Sequence, residues 1–455
     1  MSGSRLDDTA IGDLRAGLRG QLLQPGHAGY DAARTIDNAM IDRRPALIAR
    51  CAGVADVMAA VRFARKHDVL VSVRAGGHNV AGNAVCDGGL MIDVSPMKGI
   101  RIDLGARTGQ AQAGVTWGDF DAESQAFGLA TTGGVISTTG IAGLTLGGGV
   151  GWLNGRFGLA CDNLISADVV TADGRFLRAS EQDNADLFWG LRGGGGNFGI
   201  VTSFEYRLHP LGPMVLSGPV FHPAARARDV LRFYREFSAS EPDELTTYAG
   251  LLTGPDGTPL VGIVPCYAGP PEQGEKLVER LHKFGPPVVD MIGPMPYVAV
   301  QRMFNDAFPP GRYSYWKSSL APQITDQLID AVVEHMARVP SPHSAVMLEH
   351  YHGAYGRPAP TATAYSHRRS TYDVVIIANW TNPADHERNI AWARELFAAV
   401  QPQVSQAVYV NFLDRDDGAE RIRAAYGDNY DRLVALKRTY DPTNFFRMNQ
   451  NVRPD

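Results

Sequence analysis

No Cys-x-x-Cys pair, no lysine- and arginine-rich run and no apolar stretch of membrane length occurs in the chain, and each lack closes a class of function. The four cysteines, Cys51, Cys86, Cys161 and Cys266, have no framework spacing and read as reduced thiols. A net charge of −5 without a basic run argues against a nucleic-acid surface. The opening residues lack a charged-then-apolar signal pattern. A soluble, cytoplasmic protein with no membrane partner is therefore the expectation. Known phosphate fingerprints are missing too. There is no Gly-x-x-x-x-Gly-Lys-Ser/Thr motif, and Gly147-Gly148-Gly149-Val150-Gly151 is not followed by a βαβ unit with a suitably placed acidic residue.

What the chain has in excess is glycine. Its fifty glycines cluster between Gly76 and Gly199, which points to a site. Two loops dominate: Arg74-Ala75-Gly76-Gly77-His78-Asn79, and the run from Thr138 to Gly151. Glycine at this density lets backbone N–H groups approach a ligand closely, as a phosphate requires. Two such loops suggest one large cofactor threaded between them.

At 455 residues the chain exceeds one usual core, so two domains are expected. Apolar periodicity predicts a helix over Gly53–Asp68 between short strands at 46–49 and 69–73, a β-α-β unit ending in the histidine loop. Further strands are expected at 90–93, 100–103, 108–115, 164–171 and 200–208, with Asp173-Gly174 as a hairpin turn. From about 215 to 404 strands alternate with helices, which predicts an α+β unit with a mostly antiparallel sheet. The last fifty residues regain turn chemistry. The segment His350-Tyr351-His352 could present two metal ligands on one strand face, but spacing offers no third, and no metal is assigned.

Five separated motifs carry a family resemblance. Arg74-Ala75-Gly76-Gly77-His78-Asn79-Val80-Ala81-Gly82 resembles the flavin-attachment loop of FAD-linked oxidases of the vanillyl-alcohol-oxidase (PCMH-type) superfamily. The closer likeness is to its berberine-bridge-enzyme-like and 6-hydroxynicotine-oxidase-like branch. Gly147–Leu153 with Phe157–Asn163, Leu187–Gly195 with Asn197–Gly199, Tyr409-Val410-Asn411-Phe412 and Tyr440–Arg447 follow in that branch's order. The match runs from about residue 40 to the end and is least specific in the middle.

The resemblance implies an α+β PCMH-type FAD-binding domain of residues 1–211 with its core at about 40–211. A substrate domain of 212–404 would cover it, and 405–455 would complete the FAD domain. It implies FAD held covalently through His78 alone. The position of a second, cysteine tether aligns with Gly140, and Cys161 reads as a packed core thiol. Arg74, Ala75, Gly76, Gly77, Asn79 and Gly82 would flank the tether. Thr138, Thr139, Gly140, Gly143, Gly147, Gly148, Gly149 and Gly151, with Val201 and Asn411, would complete the cofactor wall.

Tyr409 and Glu349 are the candidate catalytic groups. Tyr409 stands in the segment that brings a tyrosine and an asparagine to the flavin, and Glu349 shares a strand face with Tyr351, opposite His350 and His352. Tyr313, Tyr315, Trp316 and Lys317 form another strand that could line the site. The implied activity is hydride transfer from a small, fairly apolar organic substrate to FAD, with O₂ reduced to H₂O₂, in a monomer or homodimer. Val80, where sugar-oxidising relatives often carry tyrosine, weakens a carbohydrate reading. An oxygenating enzyme, a dehydrogenase with another acceptor, and a non-catalytic flavin-binding protein are the alternatives.

Overall fold

The computed structural model describes residues 7–369 and 371–455, and the first six residues of the expected N-terminal unit lie outside it. The helix Val54–Lys66 buries Val57, Ala60, Val61 and Ala64 at the expected spacing. It crosses from the strand Leu47–Arg50 to Val71–Arg74. Those strands do not pair with each other: Leu90–Asp93 lies between them and is parallel to both. The histidine loop leaves this sheet at the carboxyl end of Val71–Arg74, a usual exit toward a ligand in parallel sheets.

A second, antiparallel sheet of five strands includes Thr108–Gln112, Leu164–Val170 and Ile200–Arg207. The Asp173-Gly174 turn is as expected: Gly174 sits at φ 74° between Leu164–Val170 and its partner Phe176–Ser180. The glycine run is not all loop, because Ile141–Leu146 forms a short helix inside it with Ile141, Ala142 and Leu146 buried.

The middle of the chain builds a nine-stranded sheet. Its long strands run Pro259–Tyr267, Leu245–Thr253, Ala345–Tyr351, Thr371–Trp380, Tyr313–Ala321, each antiparallel to its neighbour. Helices Ala227–Ser238, Asp326–Met336 and His386–Val400 bury apolar stripes against one face. The other face turns toward the glycine loops.

The C-terminal fifty residues differ from the turn-rich expectation, since they carry the helices Ala419–Tyr426 and Tyr430–Tyr440. Leu433 and Leu436 enter the N-terminal core, so tertiary burial secures a helix whose own periodicity is weak. Buried Lys437 fastens the return: its ammonium donates to the carbonyls of Asn197 and Phe446 and to Asp441 Oδ2, each within 2.8 Å. Asp441 in turn accepts the N–H groups of Phe445 and Phe446. That network explains why the Tyr440–Arg447 motif and Asn197 occur together.

Candidate functional site

Between the glycine loops and the nine-stranded sheet lies a cavity of about 1080 Å³. His78 lines it with Ala75, Gly76, Gly77 and Asn79 from the first loop. Thr139, Gly140 and Gly143 line it from the second, and Val201 and Asn411 from the strand and C-terminal segment expected to contribute. Glu349 and Tyr409 also reach it. Ten of the cofactor residues read from the sequence and both catalytic candidates therefore meet at one place.

The others stand outside this lining, each for a packing reason where one is evident. Arg74 pairs with buried Asp93 at 3.6 Å. Gly82, at φ 77°, abuts Ile41. A side chain at Gly147 would meet the Asn411 amide at 2.1 Å, and one at Gly148 the Tyr365 ring at 2.9 Å. Gly149 and Gly151 lie equally close to Ala160 and to the Gly133 carbonyl. Thr138 is exposed. Close backbone approach is real here, but much of it is protein against protein.

The two loops touch at one point. Added side chains at Gly76 or Gly140 would lie 2.6–2.8 Å from the other's backbone, so neither position admits a larger residue without movement. Gly140 thus offers no room for a second tether. Cys161 is fully buried, and burial pushes its thiol up, so it behaves as core. Asp37, whose N–H donates to the Gly77 carbonyl at 3.1 Å, is pushed above the ordinary carboxylate range by burial, with neighbouring His78 opposing.

Glu349 stands directly across the ladder from Asp373. The Tyr351 hydroxyl is 2.6 Å from Glu349 Oε2 and 3.4 Å from Asp373 Oδ2, and Ser318 donates to Asp373 Oδ1 at 2.7 Å. Burial first, and the neighbouring carboxylate next, push Glu349 up from the ordinary range, with the Tyr351 hydrogen bond opposing. Asp373 is raised by burial as well, with the Ser318 and Tyr351 hydrogen bonds opposing.

Tyr409 is also buried. Its oxygen accepts from Gly149 N–H at 2.9 Å and from Asn411 Nδ2 at 2.7 Å, which leaves the phenol proton free to donate. Burial nevertheless pushes this phenol up, against those two donors. On the Tyr313–Ala321 strand only Trp316 lines the cavity; Lys317 is paired with Asp416 and Asp417.

His350 and His352 do face away from Glu349, and they meet a residue that spacing did not reveal. Glu241, more than a hundred positions earlier, places Oε2 3.0 Å from His350 Nδ1 and 3.4 Å from His352 Nε2. Two other groups escaped the sequence: Asp373, visible only once strand register is known, and Arg368. The Arg368 guanidinium grips Asp162 of the Gly158–Asn163 motif through two bonds of 2.7 Å.

A cofactor fits the open side of the cavity. Gly143 and Gly196 both line it with nothing within 4 Å of an added side chain. Trp316 Nε1 and Asn449 Oδ1 are buried polar atoms without partners on residues lining the same space. First-turn N–H groups of Ile141–Leu146 lack intrahelical acceptors, as at any helix start. Backbone donors, unpartnered polar groups and apolar walls suit a flavin dinucleotide.

Fold and cavity together define a flavin-dependent oxidoreductase. Residues 45–180 match the family model described as FAD binding domain, and 408–453 the one described as berberine and berberine like. An FAD-linked oxidoreductase of Dictyostelium discoideum is 32% identical over 90% of this chain and 89% of its own. (R)-6-hydroxynicotine oxidase of Paenarthrobacter nicotinovorans is 31% identical over 96% of this chain and 97% of its own. Among solved structures, 6-hydroxy-D-nicotine oxidase from Arthrobacter nicotinovorans superposes with a TM-score of 0.88 at 30% identity, covering 96% of this chain and 98% of that one. Physcomitrella patens BBE-like 1 gives 0.87 at 25% identity, covering 96% and 97%. The chain belongs to the FAD-linked oxidoreductases of the PCMH-type, berberine-bridge-like fold. No helix among the described residues is long and apolar enough to cross a membrane.

Proposed function

We propose that the protein is an oxidase carrying FAD through His78 alone and oxidising a small, fairly apolar alcohol or amine, with O₂ reduced to H₂O₂. In this reading residues 1–211 and 405–455 hold the cofactor and 212–404 cover it. The observation that carries it is the shared cavity, which brings His78 on the glycine side and Glu349 on the sheet side to one space. Bound FAD supplies the two-electron acceptor. The Glu349–Asp373 pair, bridged by Tyr351, takes the proton from the substrate hydroxyl or amine as the adjacent carbon gives up hydride. Tyr409 donates a hydrogen bond into the cavity and orients the substrate. Apolar walls including Trp152, Phe304, Trp316 and Phe412 select an aromatic or aliphatic body over a sugar.

The test begins with denatured protein run on a gel in acid. Flavin fluorescence should stay on the wild-type band, vanish in His78→Ala and persist in Cys161→Ala. A substrate found by flavin bleaching should then consume O₂ and release equimolar peroxide. A flavin peptide mapped to a cysteine would overturn the single tether. Turnover without O₂ consumption would indicate a dehydrogenase, and O₂ uptake without peroxide an oxygenating enzyme.

A further inference from the structure

We propose, resting on the reading of the sheet face as substrate space, that Arg312 and His343 bind a carboxylate of the substrate. The substrate is then an elongated apolar acid, with its oxidised alcohol or amine at the end remote from the carboxylate. Arg312, His343 and Asp306 all line the cavity. Among the described residues no carboxylate pairs with Arg312, Asp306 included, and burial alone lowers its pKa. The half-buried guanidinium donates from Nη1 to the Ala307 carbonyl at 2.6 Å, and its other N–H groups have no protein acceptor among those residues. An entering carboxylate supplies both the missing charge and the missing acceptors. Burial first, and the charge of Arg312 next, lower the His343 pKa, so its imidazole is a neutral hydrogen-bonding partner beside the cation.

The backbone fixes where Arg312 stands. Its carbonyl accepts the Ala39 N–H at 2.9 Å. Gly311, at φ 87°, donates its N–H to the Asp37 carbonyl at 2.9 Å. Asp37 and Asn38 in turn donate to the carbonyls of Gly77 and Val80, on either side of His78. The arginine is thus tied to the rim of the histidine loop.

Strand register sets the distance to the proton acceptor. Leu320 and Asp373 are level with Glu349, whereas Trp316 and Ile377 are level with Ala345. Ala345 and Glu349 stand about 13 Å apart along their strand. His343 precedes Ala345 and Arg312 precedes Trp316, so both lie beyond that row. Between the two polar ends, Trp316, Ile377, Ala345, Val375, Met347 and Gly250 all line the cavity in two cross-strand rows. This strip offers an apolar body no hydrogen-bonding side chain except the Trp316 indole, and it keeps water from screening the carboxylate at its end. One ring cannot span the strip; two linked rings can.

The test uses flavin-loaded protein and two non-oxidisable probes, biphenyl-4-carboxylate and 4-(benzyloxy)benzoate, each paired with its neutral carboxamide. Flavin difference spectra and tryptophan fluorescence read binding without turnover. Wild type should bind at least one acid about tenfold or more tighter than its amide, the gain expected of a charge-assisted hydrogen bond. Arg312→Gln should erase that preference while amide affinity and flavin content stay unchanged, and Arg312→Lys should restore part of it. Asp306→Asn should strengthen acid binding, because a like charge is removed from the lining. Should Arg312→Gln not fold, His343→Gln and Asp306→Asn carry the comparison, with His343→Gln lowering the acid preference. Acids that bind no better than amides in wild type, or a preference that survives Arg312→Gln, would overturn the site. Flavin loss in Arg312→Gln with the acid preference intact would assign the arginine to the cofactor instead. Neither peroxide nor the covalent band is read, so failure of the oxidase reading leaves the acid preference measurable, and the converse holds.

Discussion

Burial pushes both Glu349 and Tyr409 upward, and the consequences are opposite. A phenol raised further from its usual value keeps its proton at neutral pH, which fits Tyr409 to the donor role proposed for it. A carboxyl raised from its usual range moves toward neutrality, where it exchanges a proton readily. Glu349→Gln should therefore lower turnover by about 10²–10⁴-fold with flavin content unchanged. Tyr409→Phe should cost less. The sign of the pH dependence follows from the same shift. A base must be deprotonated, so wild-type turnover should climb through the neutral range rather than near pH 4, and that limb should disappear in Glu349→Gln. Stopped-flow flavin reduction across pH checks both outcomes; a limb unchanged in the variant would remove Glu349 from the role. Glu349 was legible because it alternates with His350 on a strand. Asp373 was not, since nothing local connects residues 349 and 373 before the register is set.

At the scale of elements, the glycine run divides into two kinds of position that composition alone cannot separate. Glycine density reports that something approaches the backbone closely, but not what approaches. At Gly143 an added methyl meets nothing within 4 Å, and the position lines the cavity. At Gly147 it meets the Asn411 amide that supports Tyr409. Gly143→Ala should leave apoprotein stability nearly unchanged yet reduce the flavin-loaded fraction. Gly147→Ala should cost about 1–3 kcal/mol whether or not flavin is present, as overpacking does. Paired denaturant titrations and flavin-to-protein absorbance ratios distinguish the two; equal flavin loss with no stability difference would defeat the division. The short helix Ile141–Leu146 was hidden for a related reason. Six residues flanked by glycine carry too little periodicity to register, and the burial of Ile141 and Leu146 supplies what propensity does not.

At the scale of the whole molecule, two apolar cores meet across a seam rich in buried tyrosines, including Tyr248, Tyr351, Tyr355, Tyr365 and Tyr409. The Tyr248 hydroxyl donates to the Gly151 carbonyl at 3.2 Å, so the sheet grips the glycine run directly. A buried polar tie joins Arg368 to Asp162. The guanidinium is 1% exposed and the carboxylate 13%, so water screens the pair little. Asp162 was visible within a motif, whereas Arg368 stands 206 positions away in a segment with no pattern of its own. Long-range partnerships of this kind are what a single sequence conceals. Removing one partner of a buried pair leaves the other uncompensated, so Arg368→Met should cost about 3–5 kcal/mol. Adding Asp162→Asn should return part of that loss, because the stranded charge is then gone. Unfolding midpoints of the four proteins in a double-mutant cycle measure the coupling. A single-variant loss under about 1 kcal/mol would show that the pair behaves as a surface ion pair and that the seam is held by its tyrosines instead.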